Sequence, residues 1–203
     1  MITRSNLLRL GAAGAAMLLA SPAWSAGVAE QAGTFIQHTG SQFSDLLVGA
    51  DTIAEKKRRL QPFIDQVVDV EGAARFCLSR YWRQATPEQQ REYLQLFHAV
   101  LLNSVVVRVG DYRNERTRVV IGRTEAREDG VYVNTTVDRP GNPPANVTWI
   151  VDMQRNPPKI TDLLVEGTSL RLTIRNDYTS YLSHHGNDLN SLIDALRKQA
   201  DRT

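Results

Sequence analysis

A single cysteine among 203 residues denies this chain any internal disulfide, so packing and hydrogen bonding must hold its fold together. Net charge is also scarce: 24 Lys and Arg against 22 Asp and Glu leave +2. That balance provides no field for bulk attraction to nucleic acid or to an anionic membrane. The main apolar run, Leu10 to Ala20, falls short of the about 20 residues needed to cross a bilayer. Repeats, low-complexity tracts, a glycine-rich phosphate loop and a G-x-S-x-G elbow are all missing. Four histidines, His38, His98, His184 and His185, show neither H-E-x-x-H nor H-x-E spacing, so no metal site is expected. Asp138, Asp152 and Asp162 are the candidate catalytic carboxylates, but strand-end aspartates more often form turns or caps, and no catalytic residue is assigned.

What is present begins with an export pattern. Arg4 and Arg9 precede the apolar run, and Ala23 and Ser25 put small residues at −3 and −1 of a cleavage site after Ser25. Residues 1–25 therefore read as a signal peptide, and residues 26–203 as one exported domain of 178 residues, enough for a sizeable core. Losing Arg4 and Arg9 and no acid takes the formal charge to zero.

Helical periodicity dominates the next stretch. Val70, Ala73, Ala74, Cys77, Leu78 and Tyr81 fall at i, i+3, i+4, i+7, i+8 and i+11, a continuous stripe that predicts a buried, inert Cys77. Thr86, Pro87 and Gln89 make a capping box with proline at the first helical position. Thr52 and Glu55 predict another box, opening a helix that Pro62 should bend or interrupt, and Asp69 a further cap. Leu96 to Val107 is apolar almost all round and must be covered on more than one side. Lys56 to Arg59 reads as a solvated basic face, and Arg171 with Arg175 as ion-pair partners of nearby acids or contacts for a phosphate.

From Arg116 the period becomes two. Alternation over about 116–127, 130–138, 146–154 and 159–166, punctuated by Asp129-Gly130, Pro140–Pro144 and Asn156–Pro158, predicts a four-stranded antiparallel meander. The Leu163-Leu164 doublet points to a bulge. After Gly167 both a strand and a helix suit the pattern, while Leu189, Leu192, Ile193 and Leu196 predict a final helix. The fold class expected is thus α+β.

One stretch also carries a resemblance. Ala74, Arg75, Phe76, Leu78, Tyr81, Trp82, Arg83, Ala85, Thr86, Pro87, Gln89, Tyr93 and Phe97 form an A-R-F-x-L-x-x-Y-W-R-x-A-T-P-x-Q-x-x-x-Y/F-x-x-x-F run. With VEGTSLRLTIRNDYTSYL and GNDLNSLIDAL further on, the chain from about Thr34 to Lys198 resembles the MlaC or toluene-tolerance family of periplasmic phospholipid-binding proteins, and equally its hopanoid-associated branch, HpnM. The resemblance implies a helix after Ser169 and a curved sheet wrapped by helices that enclose an apolar cavity. It implies a periplasmic carrier, not an enzyme, moving a phospholipid or a hopanoid-like lipid between outer and inner membranes as cargo rather than cofactor. Its implied partners are an inner-membrane MCE-type ABC lipid transporter and an outer-membrane lipoprotein complex. Periodicity and resemblance together set Val133, Trp149, Val151 and Val165 opposite Phe97, Leu101 and Val105, with Tyr112, Ile174 and Tyr178 nearer the mouth. A filled core has the same lining as a lipid cavity, so a periplasmic adaptor acting through its surface is the alternative.

The export pattern makes the first prediction: protein recovered from the periplasm begins at Ala26 on N-terminal sequencing, whereas a membrane-bound product retaining Met1 would contradict it.

Overall fold

The computed structural model of the chain describes residues 22–109, 118–139 and 142–202. Helix α1 spans Pro22–Leu47, α2 Ile53–Val67, α3 Val70–Leu78 and α4 Pro87–Val109, with a 3-10 turn over Ser79–Arg83. Their starts follow local chemistry. Thr52 Oγ1 accepts from the Glu55 N–H at 3.1 Å, and Asp69 Oδ1 from the Gly72 N–H at 3.2 Å. A Cβ on Gly72 would lie 2.0 Å from Asp69 Oδ2, which makes glycine the residue that fits under this cap. At α4 the box closes both ways: the Thr86 N–H donates to Gln89 Oε1 at 3.0 Å and the Gln89 N–H to Thr86 Oγ1 at 3.2 Å.

One expectation narrows and another changes here. Helix α2 is not interrupted at Pro62, whose exposed position leaves the carbonyl it cannot serve on the solvent side. The basic run is not a uniformly solvated face either. Lys56 is buried, and Arg59 closes the end of α1 by donating to the carbonyls of Val48 at 2.8 Å, Leu46 at 3.4 Å and Gly49 at 3.4 Å.

The sheet is an antiparallel meander of five strands, one more than the periodicity predicted: β1 Arg118–Arg127, β2 Gly130–Arg139, β3 Asn142–Asp152, β4 Lys159–Val165 and β5 Thr168–Ser169. The additional strand is two residues long, too short to show a period. It folds back on β4 through Glu166 and Gly167, both at positive φ, and pairs Leu164 with Ser169. The bulge sits at Thr161, earlier than the Leu163-Leu164 doublet, because the register steps from Val151↔Ile160 to Ile150↔Asp162. That extra residue allows Ile160, paired with Val151, and Leu163, paired with Trp149, to share one face despite odd spacing. Helix α5, Leu170–His184, follows directly, and α6, Leu189–Ala200, is the last element. Ser169 caps α5 by accepting from the Leu172 N–H at 3.1 Å.

Two cores result. The first gathers Ile36, Leu60, Val67, Leu102, Val106, Val133 and Val151 from α1, α2, the later turns of α4 and the sheet. The second gathers Cys77, Tyr81, Tyr93, Phe97, Leu182, Ile193 and Leu196 from α3, the 3-10 turn, the earlier turns of α4, α5 and α6. Helix α4 belongs to both, with α2 on one side and α6 on another, which is why its sequence is apolar all round. The sheet is tied to the helices where the Asp69 N–H donates to the Ile160 carbonyl at 2.9 Å and Lys159 Nζ donates to the Asp65 and Gln66 carbonyls at the end of α2.

Removing the α4 cap with Thr86→Ala is expected to cost about 1 kcal/mol. Thermal unfolding should then shift down by roughly 2–4 °C, and an unchanged midpoint would show that α4 is set by packing alone.

Candidate binding cleft

Between the two cores lies an apolar cleft of about 320 Å³. Helix α1 contributes Thr39, Gly40 and Phe43, and α2 contributes Phe63, Ile64 and Val67. Ala73 and Cys77 of α3 and Phe97, Leu101 and Val105 of α4 complete the helical side, facing Val119, Val137, Trp149, Ile160 and Leu163 from four strands. Leu170, Arg171 and Ile174 close it from α5. Leu101 packs against both cores, so the seam between them runs along α4.

Of the ten residues chosen from sequence, Phe97, Leu101, Val105, Trp149 and Ile174 line this cleft, and Tyr112 lies outside the described residues. Val133 and Val151 share the inward face with Trp149, yet both are 0% exposed and packed into the first core away from the cleft wall. Val165 stands at the end of β4, half-buried and off the wall. Tyr178 is one turn past Ile174, but its ring meets Tyr93 edge-on at 6.3 Å inside the second core, and burial pushes its hydroxyl pKa upward. Strand alternation names a face; it does not say which members of that face meet free volume.

The sequence reading missed the α1 and α2 walls. The stripe Leu60, Phe63, Ile64, Val67 was the available signal for α2, whereas Thr39 and Gly40 reach the wall because α1 lies close to the sheet: a Cβ on Gly40 would come 3.2 Å from Val119 Cγ2. Trp149 is oriented by Thr135, which accepts from its Nε1 at 2.9 Å and donates to the Val147 carbonyl at 2.9 Å. The indole N–H is thereby satisfied and the ring faces the cleft as hydrocarbon.

The wall has one charged corner. Asp162, buried, accepts from Ser169 Oγ at 2.6 Å, from the Leu163 N–H at 2.8 Å and from the Arg171 N–H at 3.2 Å, with Arg171 Nε 3.4 Å away. A carboxylate holding that many donors is a structural anchor for the start of α5. Cys77 is 1% exposed and its Sγ lies 3.4 Å from the Arg171 carbonyl. Burial, then the charge of Asp162, push its pKa up to about 12, while Arg171 and Arg175 pull the other way.

The histidines lie elsewhere. His98 meets Asp65 at 2.6 Å between α4 and α2, His185 stacks on Tyr181 at 3.9 Å, and His184 Nδ1 is 2.7 Å from the Ser180 carbonyl. Among the described residues no group of three or more His, Cys, Asp or Glu is gathered as a metal site.

Residues 41–198 match the family model described as MlaC protein. The toluene tolerance protein ttg2D of Pseudomonas putida is 24% identical over 138 residues, which is 66% of this chain and 63% of that protein's length. The chain therefore spans somewhat under two thirds of that curated relative. The structure of a phospholipid-binding protein from Ralstonia solanacearum, solved in complex with a phospholipid, superposes with a TM-score of 0.69 at 22% identity, covering 85% of this chain and 96% of that one. Its likeness extends to the α+β fold.

The thiol supplies the prediction here. At pH 8, well below its raised pKa, Cys77 stays protonated and enclosed, so a maleimide should label the folded protein far more slowly than the protein in urea. Rapid stoichiometric labelling of folded protein would contradict the burial.

Proposed function

From the membership of this chain in the MlaC family, which the match over residues 41–198 establishes, we propose that it is a periplasmic carrier that holds a phospholipid by its acyl chain in the cleft beside α4. The observation that carries this reading is the size and apolar lining of that cleft. Protein interiors rarely leave voids larger than a water molecule. A cleft of about 320 Å³ lined almost wholly by hydrocarbon is far larger than such voids, and an acyl chain seated in it would exchange water for apolar contact. An apolar cavity of ~150 Å³ stays dry and binds benzene, so this cleft is on the scale of about a dozen carbons.

The cargo energetics favour a carrier over a free exchanger. About twelve methylenes at ~0.8 kcal/mol each give on the order of 10 kcal/mol before the costs of immobilisation. Release into water is then slow, and transfer takes place on docking at a membrane or a partner. The partners in this reading are an inner-membrane MCE-type ABC lipid transporter and an outer-membrane lipoprotein complex, and the export pattern at residues 1–25 supports a location between them. Among the described residues no helix is long and apolar enough to cross a membrane. A binding role rather than catalysis fits the one charged corner of the cleft, because Asp162 is already engaged by its donors. A hopanoid-like lipid would meet the same wall, and the lipid extracted from purified protein identifies which is carried.

Two substitutions on the same molecule test the reading. Ala73→Trp puts a ring into the cleft and should abolish lipid co-purification, read by native mass spectrometry, while the thermal midpoint moves by only a few degrees. Val133→Trp, at a filled position, should instead cost about 1–3 kcal/mol or more through overpacking. A wild-type protein that carries no lipid, with Ala73→Trp as destabilising as Val133→Trp, would mean a conventional core and a surface adaptor.

A further inference from the structure

One cation lines the apolar cleft, and a second stands one turn along the same helix. Among the described residues lining the cleft, only Asp162 and Arg171 carry charge. The Asp162 side chain is 4% exposed and that of Arg171 29%, so the carboxylate belongs to the interior and the guanidinium to the rim. Arg171 is held there in two ways: its Nε lies 3.4 Å from Asp162 Oδ2, and its guanidinium rests on the Phe76 ring, 4.4 Å from the centroid. One turn along α5, Arg175 lays its own guanidinium over the same ring at 5.0 Å. Two like charges thus converge on one aromatic ring, and Asp162 is the one carboxylate paired with either among the described residues.

We propose that Arg171 and Arg175 form a clamp for the phosphodiester of a lipid whose acyl chain fills the cleft. This rests on the carrier reading and adds to it the group by which a phospholipid is told from other hydrocarbons. With only the Nε edge of Arg171 turned to Asp162, the terminal nitrogens of both arginines are engaged by no other hydrogen bond or ion pair among the described residues. Guanidinium nitrogens in that arrangement match phosphate oxygens in pairs. The position suits the ligand's own chemistry, since a phosphodiester sits a short glycerol unit beyond the acyl chain, and Arg171 is the partly exposed cation of an otherwise apolar lining. The first amides of α5 are not the binding groups: the Arg171 N–H is taken by Asp162 and the Leu172 N–H by Ser169.

The test loads the full exported chain from vesicles holding equimolar dioleoylphosphatidylglycerol and dioleoylglycerol, which share acyl chains and differ in the phosphate. Native mass spectrometry reads the ratio of the two captured lipids. The wild-type protein should favour the phospholipid by at least about tenfold, and Arg175→Gln should lower that ratio about tenfold without reducing dioleoylglycerol uptake, as expected for loss of one charge-assisted contact. Arg171→Gln should act likewise; because it also strips Asp162 of its cation and could unfold the protein, Arg175→Gln decides the matter alone. A ratio unchanged in Arg175→Gln overturns the clamp while leaving the carrier standing. Wild-type protein that captures neither lipid overturns both. Calorimetric titration with inorganic phosphate should show no saturable binding in the low millimolar range; saturation that is lost in Arg175→Gln would assign the arginines to free phosphate and overturn the lipid headgroup.

Discussion

Everything in this fold depends on helix α4 being wetted by hydrocarbon on more than one side. An α-helix in a two-layer domain ordinarily buries a single stripe. Here the earlier turns supply Tyr93 and Phe97 to one core and the later turns supply Leu102 and Val106 to the other. The two groups meet along this helix, and the cleft lies at their seam. Leu101 marks it from the helix side, Trp149 from the sheet, and Phe63 and Ile174 from the flanks. The rigidity of that arrangement comes from small polar devices at its margins: the Thr86–Gln89 box at the head of α4, the Thr135 anchor on Trp149, and Asp162 at the head of α5.

Much of this was legible in the sequence, for reasons that differ by element. Capping at Thr52, Asp69 and Thr86 is written in a few consecutive residues and needs no tertiary context, so it could be read directly. The four long strands announce themselves by a period of two, while β5, two residues long and dictated by the Glu166-Gly167 turn, has no period to show. The bulge at Thr161 was displaced from the expected Leu163-Leu164 because register is set by pairing with β3, which a single strand does not encode.

The cleft residues divide along the same line. Phe97, Leu101 and Val105 follow from a helix that is apolar all round, and Trp149 from strand alternation. Val133 and Val151 obey that alternation too, yet they are sealed into the first core, because which inward residue touches free volume depends on how helices α1 and α2 lie across the sheet. Gly40 illustrates the converse: a residue with no side chain reaches the wall because its absence of bulk lets α1 approach Val119. Arg171 and Arg175 were visible as a pair one turn apart, but their meeting over Phe76 is a tertiary fact.

The central claim, that the seam beside α4 holds an acyl chain, is tested most directly by fluorescence from a variant in which Trp24 and Trp82 are replaced by phenylalanine, leaving Trp149 as its one tryptophan. Loaded with a phospholipid brominated along its acyl chain, the protein should lose most of its tryptophan emission relative to the same protein loaded with the unbrominated lipid, because bromine quenches an indole at contact distance. Emission unchanged at saturating bound lipid would place the chain elsewhere on the molecule and contradict the account.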